Sequence, residues 1–316
     1  MTEIELLINQ FILDAGKLYT LPELYQQLDA KINSDRVSID EIGELLSTDA
    51  ALCVKILRIA NSSLYGFRAE ITTITRALSL IGLKEIKNLI LMDTVAQNFN
   101  KKDKYNAIQM EDFWRRSIYI ALIAKRLAII NNHPQPDRLF ICGIMSRIGQ
   151  LVACITRAKE VLLIIHQQQN NPDESEFSIE SNTLGFTYNE VSAKLLEHWK
   201  VPKEITIPLQ MLHQPLNLTH EVSESYSQDI FILNMATIYS YLLEQEDNQT
   251  LEDNGQNAGE NDPAIATADM YFNKVDNKIN QALMIDPEII DNILFEIELD
   301  ALDILSIVFP DSMSIY

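Results

Sequence analysis

Turn-forming residues are scarce in this chain, with nine glycines and ten prolines in 316 residues. Such usage excludes a fold of many short strands joined by tight hairpins. Cysteine is nearly absent. Cys53, Cys142 and Cys154 are odd in number and have no close spacing, which excludes a disulfide scaffold and predicts three reduced, buried thiols. Long apolar runs are missing as well. Apolar runs such as Leu89–Met92 and Ile304–Phe309 fall far short of the roughly 18 residues needed to cross a bilayer. Met1–Asp14 carries acids and no basic n-region, so it is not a secretory signal. The expectation is a cytoplasmic protein with no membrane partner.

Catalytic groupings are also lacking. None of the five histidines, His133, His166, His198, His213 and His220, is followed by aspartate, and no two sit three or four apart. A metal centre needs several deprotonated ligands converging on one point, and no local His-Asp pair offers an anchor for one. His198 reads as a half-buried polar residue, and His213 as a residue near a helix C-terminus, where an imidazole is favourable. Gly143–Gly149 lacks the Lys-Ser/Thr of a phosphate loop, and no Gly-x-Ser-x-Gly elbow occurs. Ala50–Gly66 fails as a helix-turn-helix, because Leu64–Ile71 is too short for a recognition helix. Aromatic interleaving for single strands is thin.

Acidic residues are abundant, giving a formal charge of −20, which repels nucleic acid at long range. The excess is uneven: Ala50–Glu160 carries 17 Lys and Arg against 8 Asp and Glu. That basic middle can dock an acidic partner or this chain's own acidic ends, and the second reading is favoured.

Helical signals fill the chain. Capping boxes begin at Thr20, Ser38 and Thr187, where Ser or Thr precedes Glu by three residues. Asp49 caps a helix over Ala50–Ala60 with apolar Leu52, Ile56 and Ile59 at helical spacing. Asn61-Ser62 stops it, because both side chains compete for backbone hydrogen bonds. Further helices are expected over Ile74–Leu80, with Gly82 as a left-handed cap, and over Lys84–Phe99, Phe113–Ile130, Leu139–Leu151 and Ala158–His166. Gln167–Ser178 reads as a solvated loop, and residues 244–262, EQEDNQTLEDNGQNAGEND, as an acidic linker. No strand alternation and no 20–50-residue repeat is found. The fold class is all-α.

Leu21-Pro22, then Ile42–Asp49, then LCVKILRIANSSLYGFRAEITTITRALSLIGLKEIKNLIL, resemble the HD-related output domain (HDOD) family. Phe113–Ser117, Gly143–Gly149, Leu184-Gly185 and Trp199–Pro202 to His213–Pro215 extend the resemblance over about two hundred residues. It implies a multi-helix bundle related to metal-dependent HD phosphohydrolases, here an HDOD-like domain at 14–213 and a C-terminal helical extension at 214–316. Where that relationship implies metal ligands, this chain has Arg116, Ser146-Arg147, Tyr188, Leu212 and Thr237, and only His213 remains. The resemblance therefore implies a vestigial pocket, no metal, no cofactor and no enzymatic activity. It points to bacterial signal transduction through contacts with other signalling proteins, with Asn61, Ser62, Tyr65 and Phe67 as the interaction surface. No attached receiver, kinase or cyclic-dinucleotide domain is expected in this chain. Two alternatives stand beside it: a nucleotide or anion sensor using Arg116 and Arg147, and a divergent HD-type phosphohydrolase.

Overall fold

The structure is a computed structural model, and it describes residues 3–16, 23–32, 38–99, 107–171, 173–252 and 273–308. Among the described residues there are helices and turns and no strand, so the all-α expectation holds. In chain order the helices are α1 (Glu3–Asp14), α2 (Glu23–Ile32), α3 (Ile39–Leu46), α4 (Ala50–Ala60), α5 (Ile74–Ile81) and α6 (Leu83–Phe99). They continue with α7 (Met110–Ile130), α8 (Pro136–Met145), α9 (Ile148–Thr156), α10 (Ala158–Asn170) and α11 (Glu176–Leu184). The last five are α12 (Tyr188–His198), α13 (Lys203–Gln210), α14 (His220–Glu252), α15 (Asn277–Leu283) and α16 (Pro287–Val308).

Local signals set most of the boundaries. Ser38 and Thr187 each close a complete capping box, with Glu41 and Glu190 respectively. Asp49 accepts from the Leu52 N–H and opens α4. The box at Thr20 lies outside the described residues. Gly82 ends α5 at φ 98° and ψ 152°, a positive-φ cap whose ψ is extended, in place of the expected left-handed conformation.

The bundle is organised on α7, whose residues from Phe113 to Leu127 are almost all buried. Helices α8, α14 and α16 pack on it. Helix α8 approaches it closely at Gly143, where an added Cβ would lie 2.5 Å from the Ala121 Cα. Gly149 of α9 plays the same part against α12, with an added Cβ 2.1 Å from the Tyr188 carbonyl oxygen. No side chain fits at either place.

Three corrections concern continuity. The expected single helix Leu139–Leu151 is broken at Ser146-Arg147 into α8 and α9. Together Pro136–Thr156 is apolar and long enough to span a membrane, but its apolar window is 89% buried inside the protein, so its apolar surface is covered by neighbouring helices. The loop expected over Gln167–Ser178 is mostly helical: α10 runs on to Asn170 and α11 starts at Glu176. Helix α14 likewise continues through Glu252, into the stretch read as a linker; the rest of that stretch lies outside the described residues.

The basic middle is largely consumed internally. Lys87 pairs with Asp29, Arg126 with Glu296 and Asp300, and Arg138 with Asp229. These acids all come from the acidic ends of the chain, which accords with the favoured of the two charge readings.

Candidate functional site

Two arginines meet inside the bundle. Arg116 comes from the second turn of α7, and Arg147 from the break between α8 and α9; both are buried. A buried guanidinium must be paired or the fold is strongly penalised. The partner is Glu176, the first residue of α11. Its Oε2 lies 2.6 Å from Arg116 Nη2 and 3.3 Å from Arg147 Nη1. Further contacts complete the shell of Arg116: Glu244 Oε2 at 3.4 Å, Ser240 Oγ at 3.5 Å, and the Tyr241 ring 4.9 Å from the guanidinium carbon. Arg147 also donates to Gln150 Oε1 at 2.8 Å. Burial alone would lower the pKa of Arg116, but Glu176 and Glu244 more than offset it, so the group is held as a permanent cation.

One helical turn beyond Glu176 sits Glu180, also buried, whose Oε2 accepts the Tyr188 N–H at 2.8 Å. Burial, and then the negative charge of Glu176, push its pKa up to about 8, against the opposing pull of Arg147, the Tyr188 N–H and Arg116. Glu180 is therefore largely protonated near neutrality. Burial also raises Tyr188 well above the ordinary phenol range, and its hydroxyl is buried with no hydrogen-bond partner among the described residues.

Of the pocket residues expected from the sequence, Arg116, Arg147 and Tyr188 come together around Glu176 and Glu180. Ser146 stands beside them, facing α12: its carbonyl accepts from Asn189 Nδ2 at 3.0 Å and from Ser192 Oγ at 2.8 Å. Thr237 lines the same stretch of α14; its carbonyl accepts from Ser240 Oγ at 2.8 Å. Leu212 and His213 follow α13, and no hydrogen bond joins them to either arginine among the described residues. Leu212 is buried, and its carbonyl accepts from Asn234. His213 Nε2 lies 4.0 Å from Glu190 Oε1.

Glu176, Glu180, Gln150, Ser240 and Glu244 were not singled out from the sequence. Glu176 was hidden in a segment read as loop. A signal existed: two arginines on buried helices demand counter-charges, and Glu176 and Glu180 share one helix face with apolar Phe177 and Ile179 beside them.

This cluster does not suit a divalent cation. Its central carboxylate is already bound by two guanidiniums, which would repel a metal, and among the described residues no group of three or more His, Cys, Asp or Glu side chains is placed to hold one. The histidine-aspartate contact that does form lies elsewhere. His133 Nε2 is 2.7 Å from Asp229 Oδ1, and its Nδ1 accepts the Gln135 N–H at 3.1 Å. Arg138 Nη2 meets Asp229 at 2.9 Å and Arg138 Nη1 donates to the Glu204 carbonyl. Both imidazole nitrogens are engaged, so the group ties the end of α7 to α8, α13 and α14.

At the expected interaction surface, the Asn61 side chain accepts from Ile71 N–H at 2.7 Å and donates to the Ile71 and Leu57 carbonyls at 2.8 Å. It thereby closes the loop 61–71 onto the end of α4. Ser62 is buried and bonds back to Ile59. Tyr65 is half-buried under Phe67, with parallel rings 6.0 Å apart, and Lys125 of α7 lies 4.9 Å from the Tyr65 ring. Phe67 and the edge of Asn61 reach solvent.

A protein from Treponema pallidum (strain Nichols), described as uncharacterized, is 23% identical over 209 residues, which is 65% of this chain and 38% of that relative. The chain thus spans well under half the length of this curated relative. Among solved structures, an HDOD domain protein of unknown function from Geobacter sulfurreducens superposes with a TM-score of 0.69 at 19% identity, covering 96% of this chain and 97% of the other. A provisionally designated phosphohydrolase from Shewanella amazonensis SB2B gives 0.65 at 20% identity, over 94% and 97%. At these identities the structures share the fold. The HDOD domain family itself matches residues 18–215, well over half of the sequence, and the chain belongs to the HDOD family.

Proposed function

We propose that this chain is a non-catalytic HDOD regulatory protein of the bacterial cytoplasm that acts through contacts with other signalling proteins. The observation that carries the reading is the Arg116–Glu176–Arg147 cluster. Where the kinship with HD phosphohydrolases would place metal ligands, two permanent cations share one carboxylate. Such a cluster neutralises itself. It offers no charged nucleophile, no metal-activated water and no free base, and it braces α7, the α8–α9 junction, α11 and α14 against one another. The bundle is then a rigid carrier for surfaces at its exterior.

The test is direct. Protein purified without chelator is analysed for bound Mn, Fe and Zn and assayed on phosphodiesters and nucleotides. No stoichiometric metal is expected, and no hydrolysis that His213→Ala removes. Bound metal with hydrolysis lost in His213→Ala would overturn the reading.

The anion-sensor alternative draws on the convergence of Arg116 and Arg147. Glu176 and Glu244 already serve as their anions, so a nucleotide would have to displace a buried carboxylate, and the regulatory reading is preferred. A nucleotide panel that leaves the melting temperature unchanged is the expected result.

A further inference from the structure

Two neighbouring helices expose apolar side chains amid opposite charge. On α4 the outward stripe is Ala51, Val54, Arg58 and Asn61, at helical spacing, with Val54 57% exposed. The loop that Asn61 closes adds Phe67, 37% exposed, and Arg68; the exposed Arg76 follows at the start of α5. Between Ala50 and Leu83 the only acid is Glu70. Among the described residues Arg58, Arg68 and Arg76 have no ion-pair partner, although most cations of the basic middle are paired internally.

Helix α16 is the complement. Phe295 is 79% exposed and Leu302 54%, seven residues apart and so on one face. Pro287–Val308 holds six acids and no cation. Glu288, Glu296 and Asp303 are exposed. Pairing two copies of α16 would set acid against acid. Pairing α16 with α4 sets acid against unpaired arginine and covers Phe295 and Leu302 with Val54 and Phe67.

Helices α4 and α16 pack side by side within one chain. We infer that this chain forms a two-fold homodimer in which the acidic apolar stripe of α16 in each copy docks on the basic apolar stripe of α4 and the loop 61–71 in the other. A two-fold axis brings each stripe to its complement twice, which makes the interface self-complementary and closed. The inference rests on the proposed reading of this loop as a protein contact, and it names a second copy as the occupant.

Sedimentation velocity on the full chain tests it. At low salt a dimer is expected, weakening as salt rises, because part of the attraction is between screened charges. Phe295→Ser and Arg58→Glu/Arg76→Glu should each weaken dimerisation about tenfold or more, with circular dichroism melts unchanged. Adding Glu288→Lys/Asp303→Lys to Arg58→Glu/Arg76→Glu should restore the dimer. A chain that stays monomeric at low salt overturns the inference, and so does a dimer indifferent to all these changes or one that the charge exchange fails to restore. The metal and hydrolysis assays above fail or succeed independently of this result.

Discussion

At the scale of single residues, Glu176 determines whether the interior tolerates two arginines. Glu176→Ala would leave Arg116 with the half-exposed Glu244 and Arg147 with neutral Gln150. Removing one member of a buried ionic group typically costs about 3–5 kcal/mol, and urea unfolding should show a loss of that order. Glu180 makes the opposite kind of prediction. Its folded pKa, about 8, lies above that of an ordinary carboxyl because of burial and the neighbouring charge of Glu176. Between the two values the folded state binds more protons than the unfolded state, so its contribution is full at low pH and is lost as pH rises through about 8. Glu180→Gln cannot ionise. The gap in urea midpoint between Glu180→Gln and the parent should therefore move in favour of the variant between pH 5 and pH 8.5. A gap that stays flat across this range would show that Glu180 titrates normally. Asn61 was legible as a helix stop, but its hydrogen bonds to Ile71 were not, because they join residues ten apart through a loop with no regular period.

At the scale of elements, the helices that announce themselves by caps and periodicity are those the sequence delimits well. Ser38, Asp49 and Thr187 act within four residues of their own backbone, so their effect is local and readable. The break at Ser146-Arg147 is different. It is held from α12, where Ser192 Oγ accepts the Gly149 N–H at 2.8 Å and meets the Ser146 carbonyl. A junction imposed by a partner more than forty residues away leaves no local periodic signature. Helix α11 was missed for a related reason: it follows a polar run, and the burial of its first residue depends on arginines supplied by α7 and the α8–α9 junction. The contact between α9 and α12 yields a sharp expectation. Gly149→Ala would force a methyl group into the Tyr188 carbonyl, a backbone atom that cannot rotate away. Overpacking a tight core contact costs about 1–3 kcal/mol or more, and here α9 must also shift from Ser192. Thermal melts of Gly149→Ala should show a marked loss of stability, while Gly66→Ala, at a loop site where an added Cβ would meet only the Ser63 carbonyl oxygen at an ordinary 3.7 Å, serves as a control for its positive φ.

At the scale of the whole molecule, the family match ends at residue 215, yet the packing around α7 continues beyond it. Ser240, Tyr241 and Glu244 of α14 surround Arg116, and Asp229 of the same helix receives His133 and Arg138. Helix α16 covers another side of α7 and supplies Glu296 and Asp300 to Arg126. The sequence resemblance marks where the shared signature lies; it does not mark where the core stops, because core contacts to α7 are made by side chains that no motif fixes. A chain cut after Pro215 would expose the buried face of α7, take Asp229 away from His133 and Arg138, and remove part of the Arg116 shell. Lost apolar burial, at about 25 cal/mol per Å², and the orphaned charges act in the same direction. We expect the shortened chain to lose cooperative unfolding and to bind a hydrophobic dye, while the full chain melts in one transition and binds none. If the fragment instead unfolds cooperatively at the parent's midpoint, the C-terminal helices are an accessory layer and α7 is completed without them.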